Sequence, residues 1–330
     1  MSVSQRRCLT ASAITTLLVF VGIAGHASAQ SPGATVMFRA QDTVPQTVLL
    51  WPAGAPNALG NEPDDRPSIT IYRPRQGATK TAVLVAPGGA YMFLASGVEG
   101  DDVARWLVTH GVTAAVLQYR HGPRYHHPIP LQDAQRAIRW LRAHAAELGV
   151  APDRIGMMGF SAGGHLTATA GTQFDAGHPA SNDPIDRQSS RPDFLILGYP
   201  VISFERSVAG PYPLAMYAGS GSFLLGETAP DSMLRRMSAE LNVTAKTPPT
   251  FLYHGTADRL VNVENSVVFY LALRKAGVPA ELHTFEKADH GGGLNLGDPV
   301  LGVWPVLLLH WMEGHGLLSG AASSQNSGAR

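Results

Sequence analysis

The stretch Ile155-Gly156-Met157-Met158-Gly159-Phe160-Ser161-Ala162-Gly163-Gly164-His165 decides how the rest of the chain is read. Ile155–Gly159 is a short apolar run of the kind that forms a buried strand, and a helical pattern follows over Ala162–Thr172. Between them stands Gly159-Phe160-Ser161-Ala162-Gly163, a G-x-S-x-G. In a chain with 35 glycines the pentapeptide alone carries little weight. Its position carries more: strand, sharp turn and helix in succession present a serine hydroxyl at the end of a sheet. Glycines on either side let neighbouring backbone come close.

Outward from this turn, apolar runs and helical patterns alternate. Strands are expected at Ser68–Tyr72, Ala82–Ala86, Thr113–Gln118, Ile155–Gly159, Phe194–Tyr199, Thr250–Tyr253 and Ala280–Phe285. Several are continuously apolar, as in Val83-Leu84-Val85, which suits strands buried on both faces of a parallel sheet. Helices are expected at Glu99–His110, Leu131–Leu148, Ala162–Thr172, Val263–Lys275 and Val300–Gly314. In Leu131–Leu148 an apolar stripe of Leu131, Ala134, Ile138, Leu141, Ala145 and Leu148 keeps helical spacing, with Arg136, Arg139 and Arg142 on the opposite face. The alternation implies an α/β fold with a mainly parallel central sheet and helices on both faces. Residues 201–247 break the alternation and are candidates for a lid or pocket wall.

A serine hydroxyl needs a base within reach, itself oriented by an acid. In sheets with such an elbow the acid and then the base follow the serine, each in a loop after a later strand. Asp258 lies in Gly255-Thr256-Ala257-Asp258 after the strand at Thr250, and His290 lies in Asp289-His290-Gly291-Gly292-Gly293 after Ala280–Phe285. Ser161, Asp258 and His290 are therefore the candidate catalytic residues. Glu264 is a rival acid, Asp289 adjoins the base, and His254, His283, His126 and His127 are lesser candidates. Backbone N–H groups for a developing oxyanion are expected in Ala86-Pro87-Gly88-Gly89-Ala90-Tyr91, from Gly89 and Ala90 with Gly88 as a substitute, and from Ala162 after the serine. No metal-ligand spacing is visible, so no metal or other cofactor is expected.

These residues resemble the α/β-hydrolase superfamily, and more narrowly its exported carbohydrate-esterase-like members of the acetylxylan and feruloyl esterase type. The resemblance runs from about Leu49 to Leu318. It includes Leu50-Trp51-Pro52, Pro87-Gly88-Gly89-Ala90-Tyr91, Glu99-Gly100, Tyr119-Arg120, the run Pro130–Ala137, the elbow extended to Gly164-His165, and Val263-Glu264-Asn265-Ser266. It implies Ser161 as nucleophile, Asp258 as orienting acid and His290 as general base, acting on acetyl or other short acyl esters of plant cell-wall saccharides. The chain departs from the family at Ala90, where relatives carry a third glycine, and at Ala257, where they often carry a second Asp. Some members bear the label xylanase, but no carboxylate pair flanking a sugar site is visible here. A serine peptidase of the same fold and a non-catalytic carbohydrate-binding relative are the rival readings.

Composition narrows the setting. The 330 residues include 25 basic and 25 acidic side chains, 45% hydrophobic residues and 15% charged ones, which excludes a disordered or coiled-coil chain. Zero net charge removes the usual ground for nucleic-acid binding. Residues 1–29 read as a signal peptide: Arg6-Arg7, an apolar stretch centred on Leu17–Val21, and Ala27-Ser28-Ala29 before a cleavage point. Either the general secretory or the twin-arginine route is open to it. Removal takes away two arginines and the one cysteine, Cys8, leaving 23 basic and 25 acidic side chains, no thiol and no membrane span. The expected organisation is a signal peptide at 1–29, an α/β-hydrolase domain at 30–318 and a disordered tail at 319–330, in a secreted or periplasmic protein. Tyr91, Tyr125, Phe223 and Met216 are candidates for lining a pocket.

Overall fold

Alternate residues of the central apolar strands face opposite layers, so each strand is apolar throughout. In the computed structural model, which describes residues 44–212 and 217–320, Ala82, Leu84 and Ala86 enter one core layer and Val83 and Val85 the other. The strands are β1 (Gln46–Leu49), β2 (Ser68–Tyr72), β3 (Ala82–Ala86), β4 (Thr113–Gln118), β5 (Ile155–Phe160), β6 (Leu195–Gly198), β7 (Thr250–Gly255) and β8 (Ala280–Phe285). They form one eight-stranded sheet in the order β1-β2-β4-β3-β5-β6-β7-β8. β2 runs antiparallel to β1 and β4, while β4, β3, β5, β6, β7 and β8 are mutually parallel.

The helices Asp102–Thr109 and Trp304–Gly314 cover the face of Val83 and Val85, with Val103, Leu107, Trp304 and Leu308 buried there. Ile129–Ala143 and Ser161–Thr172 cover the other, through Leu131, Ile138 and Leu166. Glu264–Lys275 packs Phe269 and Leu273 on Leu197 and Leu252. This is the α/β-hydrolase fold. Among the described residues no helix is long and apolar enough to cross a membrane.

Differences from the sequence reading have local causes. β1 was not anticipated, because Gln46-Thr47-Val48-Leu49 is a half-exposed edge strand without an apolar run. The Leu131–Leu148 helix begins at Ile129 and ends at Ala143; a separate turn, Ala145–Leu148, follows His144. The Glu99–His110 helix starts as a wider turn over Gly97–Asp101. Arg136 and Arg139 are buried rather than solvated, because the 173–193 segment crosses them with Asp183 and Asp186 on Arg136 and Asp175 on Arg139. Arg142 pairs with Asp193 in the same way. Residues 201–247 contribute Val201, Ile202, Phe204, Leu224, Met237 and Ala239 to the core, so this segment is packed wall along much of its length. Residues 1–29, expected to form a signal peptide and containing Cys8, lie outside the described residues, as do residues 321–330 of the expected tail and Met216.

One buried ion pair holds the end of β4 to the helix that follows. Arg120 Nη2 donates to Asp133 Oδ1 at 2.6 Å and Nε to Oδ2 at 3.0 Å, while the Arg120 backbone N–H reaches the same carboxylate at 2.9 Å. Nη1 donates to the Pro56 carbonyl at 2.7 Å. Both side chains are out of solvent. Removing one partner leaves the other buried and uncompensated, so Asp133→Ala is expected to destabilise the fold by about 3–5 kcal/mol. Urea unfolding of the variant beside wild type measures this.

Candidate active site

The C-terminal ends of β3, β5, β6, β7 and β8 deliver five loops to one edge of the sheet, where parallel α/β proteins carry their ligands. Ser161 follows β5 directly and opens its helix with φ of +52°, a left-handed backbone that a side-chain-bearing residue adopts only under strain. Close packing enforces it. A Cβ on Gly163 would stand 2.2 Å from the Ala86 carbonyl oxygen, and one on Gly159 would stand 2.1 Å from the Gly163 carbonyl oxygen. The elbow thus presses against the end of β3 with only glycine able to occupy the contact.

The loops after β7 and β8 bring the other two groups to the serine. His290 Nε2 lies 2.9 Å from Ser161 Oγ, and His290 Nδ1 lies 2.6 Å from Asp258 Oδ2. The other carboxylate oxygen of Asp258 accepts the backbone N–H groups of Leu260 and Val261, each at 2.8 Å. Burial pushes this carboxyl up, but hydrogen bonds from His254 and His290, the charge of His290 and the Val261 N–H outweigh it and hold Asp258 well below the usual carboxylate range. An ionised acid on Nδ1 fixes the proton there and leaves Nε2 free to accept the serine proton.

His254, a lesser candidate from its sequence position, shares in this arrangement. Its Nε2–H is divided between the Val261 carbonyl at 2.9 Å and Asp258 Oδ2 at 3.2 Å, while Nδ1 accepts the Ser266 hydroxyl at 2.8 Å. The remaining rivals are engaged elsewhere. Asp289 pairs with Arg259, Glu264 accepts from Asn262, His283 contacts Glu281, and His126 contacts the Phe223 carbonyl. His127 is held by its backbone N–H on the Leu224 carbonyl, while its imidazole Nδ1 is buried with no hydrogen-bond partner among the described residues. Tyr91 and Tyr125 are buried core residues, their hydroxyls bonded to His165 and Asp65, and so do not line an open pocket.

The loop after β3 supplies the expected donors with one change. Gly88 gives its N–H to Glu99 Oε2 at 2.8 Å, so it is not available as the substitute donor anticipated from sequence. Gly89 and Ala90 have φ of +126° and +56°, and among the described residues their N–H groups make no hydrogen bond within the protein. Ala162 is in the first turn of its helix, where N–H groups have no intrahelical acceptor. Ala90 is left-handed where the family's glycine would be unstrained. Met92 and Phe93 follow in the same loop with 48% and 52% of their surface exposed, beside the elbow. Among the described residues no group of three or more His, Cys, Asp or Glu is arranged to hold a metal ion.

The arrangement is that of a serine hydrolase of the α/β-hydrolase class. The model of the BD-FAE family matches residues 69–273, and the chain belongs to that family. It is 33% identical over 228 residues to endo-1,4-beta-xylanase B of Butyrivibrio fibrisolvens and 30% identical over 237 residues to an acetylxylan esterase of Xylanibacter ruminicola. These matches cover 68% and 70% of the chain, but it spans only 34% and 44% of those relatives' lengths. Among solved structures, an acetyl ester-xyloside bifunctional hydrolase from Caldicellulosiruptor lactoaceticus is 39% identical with a TM-score of 0.76, over 83% of this chain and 97% of that one. A Thermogutta terrifontis esterase with bound propionate is 28% identical with a TM-score of 0.63, over 81% and 96% of the two chains.

His165 anchors the oxyanion loop from behind. Its Nδ1 accepts the Tyr91 hydroxyl at 2.8 Å and its Nε2–H donates to the Met237 carbonyl at 2.7 Å. Burial lowers its pKa to about 4, so the imidazole is neutral in the folded state. The unfolded chain binds the proton from about pH 6.5 downward. Stability from this group is therefore complete above that pH and is lost as pH falls towards 4, by up to about 3 kcal/mol. Urea midpoints measured from pH 7.5 to 4.5 are expected to show the decline, and His165→Gln, which can keep both hydrogen bonds, is expected to flatten it. Gly163→Ala is expected to abolish ester turnover by displacing the elbow from β3, read as loss of kcat.

Proposed function

We propose that the protein is a serine carboxylic ester hydrolase that removes acetyl or other short acyl groups from plant cell-wall polysaccharides or oligosaccharides after export and cleavage at Ala29. The observation that carries the reading is the continuous hydrogen-bond chain Ser161–His290–Asp258, with heavy-atom distances of 2.9 and 2.6 Å. Ser161 Oγ attacks the ester carbonyl carbon as His290 Nε2 takes its proton, and Asp258 stabilises the imidazolium. Negative charge moves to the carbonyl oxygen, which the N–H groups of Gly89, Ala90 and Ala162 receive. Collapse of the tetrahedral intermediate breaks the bond to the alcohol, which leaves with the proton from His290. Water then attacks the acyl-serine with His290 as base, and the acid departs.

The choice of saccharide esters is supported by the acetylxylan esterase and the acetyl ester-xyloside hydrolase among its relatives. The choice of a short acyl group is supported by the propionate bound to the Thermogutta esterase.

Ser161→Ala is expected to lower p-nitrophenyl acetate hydrolysis by at least about a thousandfold, with unchanged melting temperature and loss of fluorophosphonate labelling. Near-wild-type turnover in that variant would exclude Ser161 as nucleophile. The rate is expected to fall on acidification as imidazole takes up a proton; an unchanged rate down to about pH 4 argues against a histidine base. Comparison of acetylated xylo-oligosaccharides, feruloyl esters and aminoacyl amides assigns the acyl and alcohol groups.

A further inference from the structure

We propose that Glu99 is a positioning residue that ties the loop carrying Gly89 and Ala90 to the loop carrying His290. The inference rests on the esterase reading above and adds to it a residue outside the triad.

Glu99 precedes the Asp102–Thr109 helix and keeps only 6% of its surface. Each carboxylate oxygen has a donor aimed at it. Oε2 accepts the Gly88 N–H at 2.8 Å, and Oε1 accepts the Tyr199 hydroxyl at 2.8 Å. The direction of the second bond is fixed by a third: the Tyr199 oxygen already accepts the Gly293 N–H at 3.0 Å, so its one proton is left for Glu99. Two donors on two oxygens are the requirement of a carboxylate rather than an acid or an amide. Burial raises its pKa, while Tyr199, Gly88 and the charge of His290 act in the opposite direction.

Connectivity gives this carboxylate its place. Gly88 opens the loop whose Gly89 and Ala90 N–H groups face the reacting carbonyl, and Gly293 lies three residues beyond His290. A Cβ on Gly88 would stand 2.7 Å from Glu99 Oε2 and 3.0 Å from Ser161 Cβ, so the acid, the loop and the nucleophile are in mutual contact. Tyr199, at the end of β6 with φ of +35°, sets its ring against that of His290 with centroids 4.9 Å apart. The path from oxyanion donor to base therefore runs Gly88 N–H, Glu99, Tyr199 hydroxyl, Gly293 N–H.

The groups facing His290 are Ser161, Asp258, Tyr199 and, beyond Tyr199, Glu99; its neighbour Asp289 is paired with Arg259. Those around Glu99 are Tyr199, Tyr119 and Tyr253, phenols kept neutral by burial first and by its charge second, and His290. The cation that Glu99 meets is thus the imidazolium formed during turnover.

The test is kcat and KM for p-nitrophenyl acetate from pH 4.5 to 9 in wild type, Glu99→Gln, Glu99→Asp and Tyr199→Phe, with melting temperature and fluorophosphonate labelling of each. Glu99→Gln is expected to lower kcat roughly 10- to 100-fold with KM within about threefold, because the oxygen replaced by NH2 can no longer accept its donor. Glu99→Asp cannot span both donors, so its kcat falls as well. A folded Glu99→Gln protein with wild-type kcat overturns the proposal. If that variant does not fold, Tyr199→Phe decides: it cuts the link to Gly293, and an unchanged kcat overturns the proposal. Wild type without ester turnover or labelling overturns the esterase reading and this inference together, whereas an active wild type with indifferent Glu99 and Tyr199 variants overturns this inference alone.

Discussion

The contact between the β5 elbow and the end of β3 is the constraint on which the rest of the site depends. Ser161 holds a left-handed backbone because the first turn of its helix is seated on the carbonyls of Ala86 and Pro87. The same contact brings the loop after β3, with its N–H groups, alongside the serine. The Ser161 hydroxyl and the N–H groups of Gly89 and Ala90 are therefore positioned by one packing event between adjacent parallel strands, and strain at one residue is offset by burial of both strands. Asp258 and His290 arrive from two strands farther along the sheet, and their register is set by the β6–β7 and β7–β8 ladders.

Much of this was legible in the sequence because it depends on local signals. Val83-Leu84-Val85 reads as a doubly buried strand whatever lies beside it, and Gly159-Phe160-Ser161-Ala162-Gly163 needs only its flanking strand and helix to be read as an elbow. Asp258 and His290 were accessible because each follows a recognisable strand. Glu99, Tyr199 and His254 were not, since their roles consist of partners 11, 100 and 4 residues away. Glu99 looked like an ordinary acidic residue at a helix start. The burial of Arg136 and Arg139, placed by sequence opposite the apolar stripe, was hidden for the same reason: helical periodicity reports which side faces the sheet, not whether another segment covers the opposite side.

Polar burial in this protein follows one rule on both sides of the elbow. His165 is neutral, with one ring nitrogen accepting from Tyr91 and the other donating to Met237. Asp258 is ionised, with backbone and imidazole donors on both oxygens. Burial keeps His165 neutral, whereas the donors around Asp258 outweigh burial and keep it ionised. The hydrogen bonds that join serine, histidine and acid are part of the folded chain itself.

The contrast between the two ends of the oxyanion loop bears on redesign. Gly88 abuts Glu99 and Ser161 at distances that admit no side chain, whereas Met92 and Phe93 stand about half in solvent a few residues later. A mutational library aimed at new acyl or alcohol groups therefore has its tolerant positions within a few residues of its forbidden ones. Randomising 92 and 93 varies exposed positions of this loop while the hydrogen bonds of Gly88 and Glu99 stay constant, so the loop surface can change without rebuilding the contacts beneath it.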